Sequence, residues 1–149
     1  MTLSLHTKPQ GIWGTILLPI TEHDQIDWGA LAQELDVLTA SGLAGIYANG
    51  TAGEFHNQTE AEYEQLVSLV AQKARAAGMP FQIGISNTNP RIALDRLRRL
   101  QSIDPSAAQF TLPDWWAPSA PELENFVTGL QAAAGDIPLI LYNPPQAKL

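Results

Sequence analysis

The feature that most constrains the fold is a strict alternation of short apolar runs with longer amphipathic segments. Apolar residues continuous over a short run indicate a strand covered on both faces. Five such runs are predicted as strands: Ile12–Leu18, Leu43–Ala48, Phe81–Ser86, Ala107–Leu112 and Leu139–Tyr142. They begin 26 to 38 residues apart, which is the length of a βαβ unit. The pattern predicts a parallel sheet with crossover helices and no internal domain boundary.

The segments between the runs carry the start signals of four helices. These signals are an N-cap residue at Asp27, capping-box pairs at Thr59 with Glu62 and Ser119 with Glu122, and Asn89 followed by Pro90. Glycines at 42, 78 and 135 mark the expected ends of three of these helices. Apolar residues three and four apart within each segment are predicted to face the core.

Five strands leave two architectures to compare, a flavodoxin-like doubly wound sheet and part of a (β/α)₈ barrel. The chain ends seven residues after Tyr142, in NPPQAKL, without a helix to cover the fifth strand. The loop PITEHDQID after the first strand has no glycine, so it lacks the phosphate-binding turn of a nucleotide fold. The sequence therefore predicts an α/β fold of the TIM-barrel type. Residues 1–149 would be the N-terminal part of one barrel domain, with about five strands and four helices, truncated after strand five.

Composition excludes several classes of function. The 149 residues include 15 acidic and 8 basic side chains, and the net charge of −7 disfavours nucleic acid and anionic membranes as partners. The absence of cysteine removes disulfides, thiolate nucleophiles and cysteine-based metal sites. No apolar stretch approaches the roughly 18 residues of a membrane span. We expect a cytoplasmic protein that needs no metal or cofactor.

The carboxyl ends of the predicted strands are where functional groups belong in either architecture. The second strand ends in Asn49-Gly50-Thr51-Ala52-Gly53-Glu54. Two glycines three apart allow a sharp turn that points consecutive N–H groups into the barrel mouth, where they could hold a carboxylate. The alternative is a tight turn in which the glycines serve conformation only.

Tyr142 ends the fifth predicted strand and is a second candidate. A phenol in this position can donate a proton or hold an oxyanion, with the hydroxyl of Thr51 as its partner. The alternative is a boundary aromatic whose hydroxyl only finds a hydrogen bond.

Together these motifs resemble the dihydrodipicolinate synthase and N-acetylneuraminate lyase family. The resemblance spans the chain: NGTAGEF is similar to the family's carboxylate-binding loop, LPDWWAPS to its strand-four segment and LILYNPP to its YNxP signature. It implies a homo-oligomeric barrel enzyme that binds pyruvate or a related 2-keto acid as a Schiff base to a lysine on strand six. Tyr142 would be the proton-shuttling phenol and Thr51 its hydroxyl partner. The N–H groups of Thr51 and Ala52 would hold the carboxylate, and Trp115 would line the substrate site.

Three departures from the family pattern argue against the synthase activity itself. Ala52 stands where the synthase has a second threonine. Trp115 stands where the synthase has a tyrosine that it contributes across a subunit boundary. Ala147 stands where the synthase has an arginine that binds the carboxylate of the second substrate. The Schiff-base lysine has no counterpart, because Lys148 lies in the loop after strand five. Two hypotheses follow: the first half of a lyase or aldolase acting on another 2-keto acid, or a non-catalytic carboxylate-binding five-stranded α/β module.

Overall fold

In the computed structural model, residues 9–113 and 117–143 are described, and they alternate strictly between strands and helices. The strands are β1 (Trp13–Thr15), β2 (Gly45–Ala48), β3 (Phe81–Gly84), β4 (Ala107–Phe110) and β5 (Leu139–Leu141). The helices are α1 (Trp28–Thr39), α2 (Glu60–Ala76), α3 (Pro90–Ile103) and α4 (Ala120–Ala134). Each strand lies within a predicted run, and each helix begins at its predicted signal.

The strand order separates the two architectures. All four strand pairs are parallel, and the strands lie in the order β1-β2-β3-β4-β5. A flavodoxin-like sheet has the order 2-1-3-4-5, because its chain reverses direction after the first unit. Here each helix instead packs beside the next, α1 on α2 and α3 on α4, while ion pairs join α2 to α3. One row of helices covers one face of a sequentially ordered sheet, which is the arrangement of a partial TIM barrel.

Local hydrogen bonds explain why the helices begin where the sequence predicts. The Asp27 carboxylate accepts from the N–H of Ala30 at 2.9 Å, satisfying a donor of the first turn. At α2, the Glu62 carboxylate accepts from the N–H of Thr59 at 2.8 Å and from its hydroxyl at 2.7 Å. Both hydrogen bonds lower the pKa of Glu62, and the bond from the backbone N–H of Thr59 has the larger effect. Glu122 and Ser119 form the same pair at the start of α4.

The hydrophobic core lies between the helix row and the sheet. It is built from the inner faces of the helices and the alternate strand residues that point toward them. Its large members include Leu31 and Leu35 of α1, Leu66 and Val70 of α2, Leu97 and Leu100 of α3, and Phe126 and Leu130 of α4. No helix among the described residues is both long and apolar enough to cross a membrane.

The prediction that both faces of every strand are covered is wrong at the two ends of the sheet. β2, β3 and β4 are mostly buried, whereas β1 and β5 are only partly buried. Ile12 and Leu17, next to β1, are 77% and 55% exposed, and Leu141 of β5 is 50% exposed. The reason is that β1 and β5 lie at the two ends of the strand order, so that each pairs with one neighbour in the described part of the chain.

Candidate functional site

Because the five strands are parallel, their carboxyl ends lie at one end of the sheet. The segments that follow the strands lie at the same end. The loop after β2 runs from residue 49 to residue 59 and leads directly into α2. Tyr142 follows β5 at the same edge. Thr51, Ala52 and Tyr142 therefore follow strands at the same end of the sheet, although β2 and β5 are separated there by β3 and β4.

The turn after β2 is made in a different way from the sequence prediction. Its positive φ angles belong to Asn49 (59°) and Glu54 (49°), and neither Gly50 nor Gly53 has one. The glycines are required for space instead. A Cβ on Gly50 would overlap the ring of Tyr47, and a Cβ on Gly53 would lie 2.8 Å from the carbonyl oxygen of Ile16. Small residues thus let the loop pack closely against β1 and β2.

The same loop presents two unused backbone donors. The N–H of Gly53 donates to the carbonyl of Gly50 at 3.1 Å, and the N–H of Glu54 to the carbonyl of Thr51 at 3.2 Å, so the loop makes helix-like turns. Within the described part of the chain, the N–H groups of Thr51 and Ala52 donate to no other group, and both residues are exposed. Free N–H groups at the start of such a turn are suited to an anionic oxygen.

Tyr142 is the second residue predicted for the site. Its N–H donates to the carbonyl of Phe110 at 2.9 Å, which extends the β4–β5 pairing, and its side chain is 43% exposed. Among the described residues, no hydrogen bond joins its hydroxyl to that of Thr51, so the predicted pairing of these two hydroxyls stays a prediction.

Two further polar residues of this region were missed by sequence reasoning. The side chain of Gln109, on β4, donates through Nε2 to the hydroxyl oxygen of Tyr47, on β2, at 2.6 Å. Both line the open face of the sheet together with Thr15 and Gln82. Burial raises the pKa of the Tyr47 phenol; the hydrogen bond from Gln109 opposes this rise, and Tyr142 adds to it electrostatically. The sequence does contain a signal for this polar face, because Gln82 and Gln109 each interrupt an otherwise apolar strand and alternate residues of a strand share one face.

A buried arginine on α3 connects the end of β3 with the start of α2. Arg96 of α3 is 1% exposed, and its Nη1 donates to the carbonyl of Ser86, just beyond β3, at 2.8 Å. Its Nη2 donates to the carboxylate of Glu60, the first residue of α2, at 2.6 Å. The guanidinium also lies over the ring of Tyr63, 4.1 Å from the centroid. One side chain therefore links the end of β3 to the helix that follows the loop after β2.

Four residues that the sequence analysis considered lie outside the described part of the chain: Trp115, Trp116, Ala147 and Lys148. Lys73 of α2 pairs with Asp36 of α1 at 2.6 Å and is partly exposed. Among residues 9–113 and 117–143, no group of three His, Asp or Glu side chains is placed to hold a metal ion.

Comparison with known proteins agrees with this architecture. The sequence model of the dihydrodipicolinate synthetase family matches residues 8–148. A 4-hydroxy-tetrahydrodipicolinate synthase from Methanothrix thermoacetophila is 25% identical over 137 residues, covering 92% of this chain and 45% of the relative. Another, from Thermomicrobium roseum, is 28% identical over 134 residues, covering 89% and 44%. The chain thus spans about half the length of the curated relatives it matches.

Solved structures show the same fold. A prophage protein of the dihydrodipicolinic acid synthase family from E. coli K12, in complex with pyruvate, superposes with a TM-score of 0.84 at 23% identity, covering 92% of this chain and 45% of that chain. The N-acetylneuraminate lyase of Proteus mirabilis superposes with a TM-score of 0.85 at 18% identity, covering 95% and 48%.

Proposed function

The chain belongs to the dihydrodipicolinate synthetase family, and from this premise we propose that it forms the carboxylate-binding half of a Schiff-base lyase or aldolase active site. The substrate is pyruvate or a related 2-keto acid. The Schiff-base lysine is supplied by a sixth strand beyond the residues of this chain. Catalysis belongs to the closed barrel, and this chain contributes the groups that hold the substrate and move its protons.

The observation that carries the proposal is the pair of free N–H groups of Thr51 and Ala52. They are exposed, they follow the carboxyl end of a barrel strand, and they have no acceptor in the described part of the chain. A substrate carboxylate satisfies both donors, because its two oxygens each accept from one N–H group. The keto carbon bonded to this carboxylate is then the atom that the amine of the strand-six lysine attacks.

Tyr142 is the proton-transfer group in this scheme. Formation of the imine releases the keto oxygen as water, so that oxygen must be protonated as it leaves. An exposed phenol at the end of β5 can donate this proton and regain it from solvent or from the hydroxyl of Thr51. Protonation of the imine nitrogen then makes it an electron sink for bond formation or cleavage at the adjacent carbon.

The second substrate differs from that of the synthase. Ala52 has no side-chain hydroxyl, and at residues 115 and 147 the sequence has tryptophan and alanine in place of the synthase's tyrosine and arginine. Without the arginine, a carboxylate on the second substrate loses its bidentate partner. We therefore propose a relative of the synthase that acts on another 2-keto acid, such as a sugar acid or an aromatic aldehyde adduct. We also propose that the enzyme is a cytoplasmic homo-oligomer.

The test is reductive trapping on a chain extended by its own reading frame through the sixth strand. Pyruvate with borohydride is expected to add the mass of one reduced pyruvate to a strand-six lysine, whereas lactate, which has no keto group, adds nothing. The Tyr142→Phe variant should slow trapping on the order of 100-fold. Absence of any adduct on the extended chain would overturn the enzyme proposal. The 149-residue chain itself should give no adduct.

A further inference from the structure

Tyr47 lies directly beneath the carboxylate-binding loop. It is on the face of β2 opposite the helices, in register with Thr15 of β1 and Gln82 of β3. A Cβ on Gly50 would overlap the Tyr47 ring and come within 2.8 Å of its hydroxyl oxygen. The ring therefore rests against Gly50, and the hydroxyl reaches the base of the turn whose next two N–H groups are unused.

Gln109 fixes this hydroxyl from two strands away. Its Nε2 donates to the Tyr47 oxygen at 2.6 Å, and its neighbour in register on β3 is Gly84, which has no side chain to intervene. Because the amide donates, the bond occupies a lone pair of the phenol oxygen and leaves the phenol proton available. In the described part of the chain, no acceptor receives that proton.

The electrostatic surroundings keep Tyr47 in its donor form. Burial raises the pKa of the Tyr47 phenol well above its ordinary value, the hydrogen bond from Gln109 only partly offsets this rise, and Tyr142 adds to it electrostatically. Tyr47 therefore remains protonated throughout the physiological pH range.

We propose that Tyr47, held by Gln109, is a substrate-binding residue that donates a hydrogen bond to the carboxylate of the bound 2-keto acid. It supplies the hydroxyl that Ala52 cannot. The inference rests on the proposed function, since it assumes that the loop after β2 holds a carboxylate. It adds a third donor, from a side chain, to the N–H groups of Thr51 and Ala52.

The test is an NMR titration of the 149-residue chain with pyruvate, following the amide resonances of Thr51 and Ala52. Removing a hydrogen bond to a charged group weakens binding on the order of tenfold or more. We expect this loss for Tyr47→Phe and a smaller loss for Gln109→Leu, which frees the phenol without removing it. Tyr63→Phe is the matched control, because Tyr63 is also buried but packs under Arg96 on the helix side. It should bind pyruvate like the wild type.

The outcomes separate the two proposals. If the wild type binds pyruvate and Tyr47→Phe binds equally well, the role of Tyr47 is overturned and the proposed function stands. If pyruvate leaves the Thr51 and Ala52 resonances unmoved in the wild type, the carboxylate site at this loop is overturned together with the role of Tyr47, and the trapping experiment on the extended chain decides the enzyme proposal separately. Amide spectra of the free variants check their folding. Should Tyr47→Phe fail to fold, Gln109→Leu decides, because unchanged affinity in that variant contradicts the proposal.

Discussion

At the scale of single residues, Asn49 shows how the site departs from an ordinary strand end. It is 2% exposed, it has a φ of 59°, and neither Oδ1 nor Nδ2 has a hydrogen-bond partner in the described part of the chain. A buried amide without partners is costly, and a positive φ adds strain for any residue with a Cβ. Asn49 and Glu54 flank the turn out of β2, in which the N–H groups of Thr51 and Ala52 have no acceptor in the described part of the chain.

The Asn49→Gly variant should therefore be more stable than the wild type. Glycine adopts the positive φ without strain and removes two unsatisfied polar atoms, which together outweigh the small cavity left behind. We expect the free energy of unfolding to rise by about 1 kcal/mol, measured by urea denaturation. Asn49→Asp keeps the shape but buries a charge, so it should be less stable than the wild type. A less stable Asn49→Gly would mean that the amide has a partner in solution.

At the scale of elements, hydrogen bonds and ion pairs of two arginines hold the helices to each other and to the carboxyl end of β3, in addition to apolar packing. Arg96 is buried and bonds both the carbonyl of Ser86 and the carboxylate of Glu60. Arg99, one turn later, is about one-third exposed and pairs with Glu60, Glu64 and Asp95. The two arginines share one helix and one partner, but only Arg96 is buried. The electrostatic interactions of Arg96 are therefore little screened by solvent and contribute to stability, whereas those of Arg99 are largely screened and contribute less.

Replacing each arginine by methionine tests this difference. Arg96→Met leaves the Ser86 carbonyl without its donor and should lower the free energy of unfolding by roughly 2 to 3 kcal/mol. Arg99→Met should lower it by less than about 1 kcal/mol. The loss in Arg96→Met should persist at high salt, while that in Arg99→Met should shrink. Equal losses for the two variants, measured by thermal and urea unfolding, would contradict a special role for Arg96.

At the scale of the whole molecule, the described residues form an open five-stranded sheet. One face is covered by four helices, and the other bears polar groups at its centre and apolar side chains near β1 and β5. Unpaired strand edges flanked by apolar residues are templates for association. Tyr47, Gln82 and Gln109 make the middle of this face hydrophilic, so the attraction is concentrated at the two edges.

We expect the 149-residue chain to self-associate through these edges, with a mass in sedimentation equilibrium that rises with concentration. The double variant Leu17→Lys and Leu141→Lys places a charge beside each edge strand and should shift the chain toward monomer. Val37→Lys is the control, because Val37 is 69% exposed but lies on α1. It should associate like the wild type. A wild-type chain that is monomeric at every concentration would contradict the role of the edges.

Much of the fold could be predicted from sequence because its signals are local. A capping residue satisfies N–H groups two or three positions away, so Asp27, Thr59, Asn89 and Ser119 mark helix starts without knowledge of the rest of the chain. Apolar runs of strand length spaced at the βαβ repeat predicted five parallel strands. The loop proposed to bind a carboxylate was predicted in the same way, from a short contiguous motif.

Tertiary structure decided what depends on pairing between distant segments. The strand order excludes the doubly wound sheet, and the spacing of the runs alone could not, because both architectures repeat the same unit. Tyr47 meets Gln109 across 62 residues only through the register of β2, β3 and β4. The role of the glycines in the loop also depends on what packs against them. Sequence thus determined the elements and the motif, since both are local, and the contacts around them were decided by how the strands pair in space.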